Sequence, residues 1–325
     1  MKAKPSGGWR PIQRFEIGHR TAQQVARPLL AAHAAPRPWQ YDFKGVDKAI
    51  DAVINGIVAG RPVMAHIDIK SFYAAFDRKE LAKALSLPTS LTNNFLAGEF
   101  LNAQTKQQFG LGKSTIQDLL SEARKGVPQG SSASPLIGVS TISSMNWQPS
   151  PDVMPVTYGD NLALMCATEA MANADTKALC AAIEALPTGN FHPKIVSVGH
   201  VADGVGFLGV QIKLAKALTI HPTSKNLDNF FWTLKKRRDQ ARKAVVVAKK
   251  YGDAFDIVAA RTAVARMWCY ASGWLSAFRA CTNIVDYHDL AEDFLNELLG
   301  ELDCSPDDLK PFMTGSHEWA DHVTG

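Results

Sequence analysis

The chain has 325 residues, 46% of them apolar and 20% charged, with a formal net charge of +4. That length exceeds one small core and predicts two or three packed lobes. The charge balance excludes a disordered tail and permits, without requiring, an anionic partner. The five cysteines form no CxxC pair, which argues against a zinc site or a disulfide framework and for a reduced, cytoplasmic protein. No apolar run nears the ~20 residues that cross a bilayer, so no membrane partner is expected. The N-terminal MKAKPSGGWRPI lacks the apolar stretch of a secretory signal.

Residues 2–15 read as short strands about a turn at Gly7 and Gly8. A helix is predicted over 21–34 and a clearer one over 46–58. In the second, Val46, Ala49, Ile50, Val53, Ile54 and Ile57 recur at helical spacing, and Gly60 and Pro62 end it. Residues 63–69 alternate and are β-rich, giving a strand with Asp68 near its end. Residues 78–125 read as mainly helical and polar. A Gly/Ser/Pro loop over 126–135 leads into a helix toward Met145. Residues 153–164 read as a hairpin that turns at Tyr158-Gly159-Asp160-Asn161. An Ala-rich helix over 168–186 follows, then short strands at 195–198 and 206–212. Beyond Pro222 the pattern is helical to about Leu302. This order predicts an α+β middle with a helical lobe attached.

Asp68 and Asp160 are the residues with chemistry to offer. Transfer to a 3′-hydroxyl needs the attacking and leaving oxygens stabilised together, which two divalent ions about 3.5–4 Å apart can do when carboxylates hold them. Magnesium prefers such oxygen ligands, commonly one or two carboxylates completed by phosphate and water. Paired strands lie ~4.8 Å apart, so the two acids meet if their strands pair. An isolated Asp at a strand end is ordinarily a solvated or turn-capping residue; here the surrounding motifs change the reading.

His66-Ile67-Asp68-Ile69-Lys70-Ser71-Phe72-Tyr73 resembles the first catalytic block of bacterial reverse transcriptases. Gly126-Val127-Pro128-Gln129-Gly130 through Ser134-Pro135 resembles their PQGxxxSP block, and Tyr158-Gly159-Asp160-Asn161 is a YGDN variant of their YxDD hairpin. Phe207-Leu208-Gly209-Val210 resembles the later primer-side block, preceded by Lys194. Gly8-Trp9-Arg10-Pro11-Ile12 resembles the fingers segment, and Ser272-Gly273-Trp274 a thumb segment of intron-type enzymes. The similarity covers roughly residues 4–280; no single block is decisive, and the order and spacing of the set carry it.

The resemblance implies a right-hand polymerase of the group II intron, retron and defence-associated superfamily. Fingers fall over 1–62, an antiparallel-sheet palm over 63–220 with a helical insertion at 78–125, and a helical thumb with a C-terminal segment over 221–325. It implies an RNA-directed DNA polymerase using Mg2+, with Mn2+ as substitute. Its partners would be an RNA template, a DNA or RNA primer, dNTP, and a protein or structured-RNA partner. Asp68, Asp160 and Asn161 would be the catalytic residues, and Asp68, Asp160 and the Ile69 carbonyl would hold metal. Lys4, Arg10, Phe72, Tyr73, Gln129, Gly130 and Lys194 would meet the nucleotide, and Tyr158 and Gly209 the nucleic acid. An aromatic ring at Tyr73 would lie under the sugar and exclude a 2′-hydroxyl. Asn161 stands where the family usually has a second Asp; it keeps an oxygen and drops a charge. An RNA-dependent RNA polymerase, a catalytically weakened nucleic-acid-binding scaffold and an untemplated or protein-primed DNA polymerase are the alternatives.

In the helical part, Lys235, Lys236, Arg237, Arg238 and Arg242 lie near Phe230, Phe231 and Trp232. Basic residues beside aromatics suit a surface that tracks a phosphate backbone. Residues 292–308 are acidic and are expected to face away from nucleic acid or meet a partner.

Overall fold

A computed structural model describes residues 2–3, 9–10, 12–96 and 112–313. The chain divides into two compact units, Met1–Val201 and Ala202–Gly325. It mixes helices with antiparallel sheets. Among the described residues no helix is long and apolar enough to cross a membrane.

The first unit opens with two short strands, β1 (Lys2–Ala3) and β2 (Trp9–Arg10), paired antiparallel. Helix α1 (Ile17–His33) starts four residues earlier than its apolar pattern predicts, and α2 (Val46–Val58) matches its predicted span. Strand β3 (Val63–Lys70) follows, then a 3-10 turn at Phe72–Ala74. The polar stretch after it holds α3 (Arg78–Ala84), capped by the Asp77 side chain, the single turn α4 (Thr89–Leu91), a π-helical turn at Thr92–Leu96 and α5 (Lys113–Ala123). Helix α6 (Ser134–Ser143) has Pro135 in its first turn, where a missing N–H costs nothing. The hairpin is β4 (Met154–Tyr158) and β5 (Asn161–Cys166). Helix α7 (Glu169–Glu184) is capped by Thr168, and β6 (His192–His200) ends the unit.

The central sheet runs β4-β5-β3-β6, every pair antiparallel. The segment Trp39–Tyr41 flanks β4 in parallel: Thr157 N–H donates to the Trp39 carbonyl and Tyr41 N–H to the Thr157 carbonyl, both at 2.9 Å. Side chains alternate across the sheet, so its two faces differ. One face carries Ala65, Ile67, Ile69, Leu162, Leu164 and Cys166, all buried in one core with Ile137 and Ile142 of α6 and Leu179 and Ile183 of α7. Each isoleucine or leucine among them contributes about 1.5–3 kcal/mol when withdrawn from water.

The opposite face carries Met64 and Met165 at one end and Asp68 and Asn161 at the other. Helix α2 packs closely on the methionine end. A Cβ on its Gly56 would come within 2.9 Å of Met165 Cγ. The acidic end of that face is only half-buried. An antiparallel sheet clothed on one face and half-clothed on the other has its polar residues where the cover stops.

The second unit begins with a three-stranded antiparallel sheet, β7 (Val205–Phe207), β8 (Val210–Leu214) and β9 (Leu218–Pro222). The single strand predicted over 206–212 is instead a hairpin about Leu208-Gly209, because Leu208 and Gly209 both take positive φ and reverse the chain. Three helices follow: α8 (Ser224–Tyr251), α9 (Ala254–Ala277) and α10 (Ile284–Leu302). They bury one core that includes Phe230, Leu234, Val245, Val264, Met267, Trp268, Leu295 and Leu298. The Asp253 side chain caps α9 by accepting from Asp256 N–H at 2.7 Å.

Candidate active site

Strand pairing brings Asp68 and Asp160 to one cleft. Asp68 on β3 stands opposite Asn161 on β5, and Ile69 N–H donates to the Asp160 carbonyl at 3.1 Å. Asp160 therefore sits at the hairpin turn directly beyond the last paired residue. Gly159, at φ +62° with no atom within 4 Å of a built Cβ, supplies the left-handed residue that the tight turn needs.

Asp68, Ile69 and Asp160 line one cleft of about 1110 Å³ with Phe72, Tyr73, Gln129 and Gly130. Among the described residues, the cations lining the cleft are Arg14, Arg20 and Lys70, all exposed. Sequence reasoning missed Arg14 and Arg20. Their basic charge just before α1 and in its first turn was the available signal. Arg10 itself lies in β2 opposite Lys2. Lys4 lies outside the described residues.

The Gly126–Pro135 loop forms the opposing wall. Gln13 N–H donates to the Gln129 carbonyl at 2.8 Å, and Gln13 Nε2 donates to the Ala123 carbonyl at 2.5 Å. Gly130, at φ +107°, lies so close to the Gln13 carbonyl that any Cβ there would clash. The close approach made at this glycine is thus that of the N-terminal segment, which the loop pins against the cleft.

Phe72 is 2% exposed and packs on Phe76 and Phe191, so its ring belongs to the core. The half-buried Tyr73 ring lies against it, with centroids 5.3 Å apart, and is the ring better placed to meet a ligand. Burial pushes the Tyr73 phenol above its ordinary range, and the charges of Asp160 and Asp42 push it the same way. The group stays a neutral hydroxyl at neutral pH.

Asn161 does not offer its oxygen to the cleft. Its Oδ1 accepts from His66 Nε2 at 3.2 Å, and its Nδ2 donates to Asp160 Oδ1 at 3.0 Å. The amide thus bridges an imidazole and a carboxylate, a job a second Asp could not do in the same protonation state. The amide oxygen is thus turned to His66 and the amide nitrogen to Asp160. Lys194 is exposed and stands opposite Asp68 on the other flank, in the β3–β6 ladder. Tyr158 is half-buried at the end of β4, and its phenol is pushed up by burial, then by Asp42 and Asp47.

The groups that could hold a cation here are the Asp68 and Asp160 carboxylates and the Ile69 carbonyl, all oxygen. That set suits a hard divalent ion such as Mg2+, which completes its shell with water and phosphate. Among the described residues, no trio of His, Cys, Asp or Glu with ligand atoms within 4.8 Å of one another includes these acids.

In the second unit the basic residues separate into two sets. Arg238 and Arg242 pair with Glu297 at 2.5 and 2.8 Å, and Arg242 also reaches Glu301 at 3.3 Å. Two residues of the acidic segment thus find partners within the chain itself, and these two arginines are committed to holding α8 on α10. Arg237 lies over the Tyr270 ring and donates to the Arg266 carbonyl. Lys235 and Lys236 are exposed, and Lys236 Nζ lies 4.9 Å from the exposed Trp232 ring. At 100° per residue, Trp232, Lys236, Lys243, Val246 and Lys250 share the α8 face opposite its core, all exposed. Gly209 closes the β7–β8 turn, where its carbonyl accepts from Asn226 Nδ2 at 2.8 Å and from Thr223 N–H.

No protein-family model matches the chain, and no curated protein matches it. Solved structures that align with it include telomerases from two Candida species. Apo telomerase from Candida tropicalis, truncated from its C-terminal domain, is 14% identical with a TM-score of 0.37, over 62% of this chain and 45% of that one. Telomerase from Candida albicans, in complex with a TWJ fragment of telomeric RNA, is 12% identical with a TM-score of 0.42, over 92% and 58%. Apo telomerase from Candida tropicalis is 12% identical with a TM-score of 0.38, over 87% and 48%. The chain spans about half the length of these telomerase chains. With overlaps this low, the functional reading rests on the geometry of the cleft and on the motifs that line it.

Proposed function

We propose that the chain is a template-directed nucleotidyltransferase of the reverse-transcriptase type, adding deoxynucleotides to a 3′-hydroxyl while copying RNA. Fingers would span 1–62, the palm 63–220 and the thumb and C-terminal segment 221–325. The supporting observation is the β3–β5 register, which sets Asp68 beside the Asp160 turn at the edge of a cleft walled by the PQG loop. Mg2+, or Mn2+ in its place, would be held by Asp68, Asp160 and the Ile69 carbonyl. The ion supplies charge stabilisation to the attacking and leaving oxygens. Arg14, Arg20 and Lys70 attract and orient the triphosphate; an Arg fork matches phosphate oxygens in pairs. The Tyr73 ring forms the floor under the sugar and leaves no room for a 2′-hydroxyl, which favours dNTP over NTP and disfavours an RNA polymerase.

The testing experiment is extension of a primer on an RNA template with dNTP and Mg2+, using Asp160→Ala as control. Metal-dependent extension lost in the variant supports the reading; equal signal from both proteins sinks it. A second reading, a polymerase-like chain that binds template and primer without extending them, is favoured by the Asn161 amide turned toward His66. Binding without incorporation in either metal would select it.

A further inference from the structure

Asp42 lies outside every motif and yet reaches the catalytic turn. Its Oδ1 accepts from Gly159 N–H at 2.7 Å, one residue from Asp160. The chain that carries Asp42 is also anchored from outside the hairpin. The Arg37 guanidinium donates to the carbonyls of Ser143, Met145 and Trp147 at 2.7–3.0 Å, at and beyond the end of α6. Gln40 Nε2 donates to the Val139 carbonyl at 3.1 Å, and Gln40 Oε1 accepts from Ser143 Oγ at 2.7 Å. Trp39 meets Trp147 edge-on, and Tyr41 N–H holds β4 through the Thr157 carbonyl. Residues 37–42 therefore form a strut from α6, the helix after the PQG loop, to the Tyr158–Asn161 turn.

We infer that Asp42 is a positioning residue of the acidic pair: as the tip of this strut, its carboxylate fixes the turn and thereby the direction of the Asp160 side chain. The turn needs such an anchor. Gly159 is the most permissive residue in the chain's menu, and nothing crowds its Cα to hold it. Asn161 restrains Asp160 from one side by its amide, and Asp42 restrains the backbone from the other. Burial raises the Asp42 carboxyl above its ordinary range while the Gly159 N–H draws it down, and Asp160 lies near enough for its charge to be felt. What the turn uses is an acceptor at the right height, which an amide oxygen also provides. Groups that orient a ligand in this way commonly change metal affinity 10–100-fold when removed.

The inference rests on the metal-holding role proposed for Asp68 and Asp160, and its test separates the two. Mn2+ binding to the full chain, without substrate, is measured by electron paramagnetic resonance for wild type, Asp42→Ala and Asp42→Asn. Amide exchange at 158–161 is followed in parallel. The expected result is about a tenfold weaker Mn2+ affinity and faster exchange at Gly159 in Asp42→Ala, with Asp42→Asn close to wild type in both. Wild-type values in Asp42→Ala, or an Asp42→Asn that falls as far as Asp42→Ala, overturn it. If Asp42→Ala does not fold, Asp42→Asn decides: wild-type affinity supports the acceptor role and a tenfold loss refutes it. If wild type binds no Mn2+, the metal-holding role proposed for Asp68 and Asp160 in the free chain fails, and the exchange rates alone decide whether Asp42 anchors the turn.

Discussion

Asp68 and Asn161 face each other across the β3–β5 ladder, and Asn161 hands one hydrogen bond to Asp160 while taking another from His66. An amide in this place joins two polar groups, His66 and Asp160, without adding charge. Replacing it by Asp sets a carboxylate directly opposite Asp68 and beside Asp160. Like charges opposed on a ladder cost roughly 0.2–1 kcal/mol. Asn161→Asp should therefore lower the metal-free melting temperature by about 1–4 °C. It should gain more than wild type from added Mg2+, because the ion offsets the repulsion. Differential scanning fluorimetry with and without Mg2+ measures both; a variant as stable as wild type and no more responsive to the ion would show that the three acids do not share a field.

Tyr73 offers the ring that the cleft presents, because Phe72 is spent in the core with Phe76 and Phe191. Tyr73→Ala removes the ring proposed to lie under the sugar and leaves Phe72 in place. The ratio of kcat/KM for dNTP over NTP should fall roughly 10–100-fold, the range over which a pocket rejects one added hydroxyl. Single-nucleotide incorporation kinetics give the ratio. An unchanged ratio would remove the ring from sugar selection.

Much of this arrangement was legible in the sequence, and the exceptions have a common cause. Val46–Val58 announced itself by helical spacing, and the β4–β5 hairpin by a glycine turn between apolar runs, because both signals are local. The motif order pointed to Asp68 and Asp160, but only the strand register joins them, and register is a property of two distant segments. Asp42 carried no signal at all. A lone Asp in Tyr41-Asp42-Phe43-Lys44-Gly45 reads as a turn residue, and only the Gln40–Thr157 bridge brings it to Gly159. The basic run on α8 was visible as charge. Which arginines are taken depended on how Glu297 and Glu301 fall along α10 when the helices pack.

That division of the basic run makes a salt-dependence prediction. Lys236, Lys243 and Lys250 share the exposed face of α8 with Trp232, whereas Arg238 and Arg242 are held by carboxylates. A lysine on a phosphate contributes about one unit to the slope of log affinity against log salt. Lys236→Ala should flatten the slope for a primer–template by about one unit and leave the melting temperature near wild type. Arg238→Ala should do the reverse, lowering the melting temperature with little change in slope. Fluorescence anisotropy across a salt series reads the slopes; equal flattening by both variants would put Arg238 on the nucleic acid as well.

The same ion pairs set an acid limit on the helical unit. The Arg238 guanidinium, hydrogen-bonded to Glu297, holds its carboxyl below the ordinary carboxylate range, with Arg242 adding to the pull. A carboxyl whose pKa is lower folded than unfolded stabilises the fold when ionised. The stabilisation is complete above the unfolded value, about 4.3 for Glu, and is lost as pH falls through the depressed folded value. Asp308, drawn down by the Ser305 N–H and hydroxyl, titrates in the same acid window, so total acid sensitivity does not isolate either group. The difference between wild type and Glu297→Gln does. That difference in melting temperature should be constant from neutral pH down to about pH 5, then close below about pH 4. Added salt should shrink it, since the pair is partly exposed. A difference that persists unchanged at pH 3, by circular dichroism melts, would mean that the Glu297→Gln substitution costs packing rather than charge.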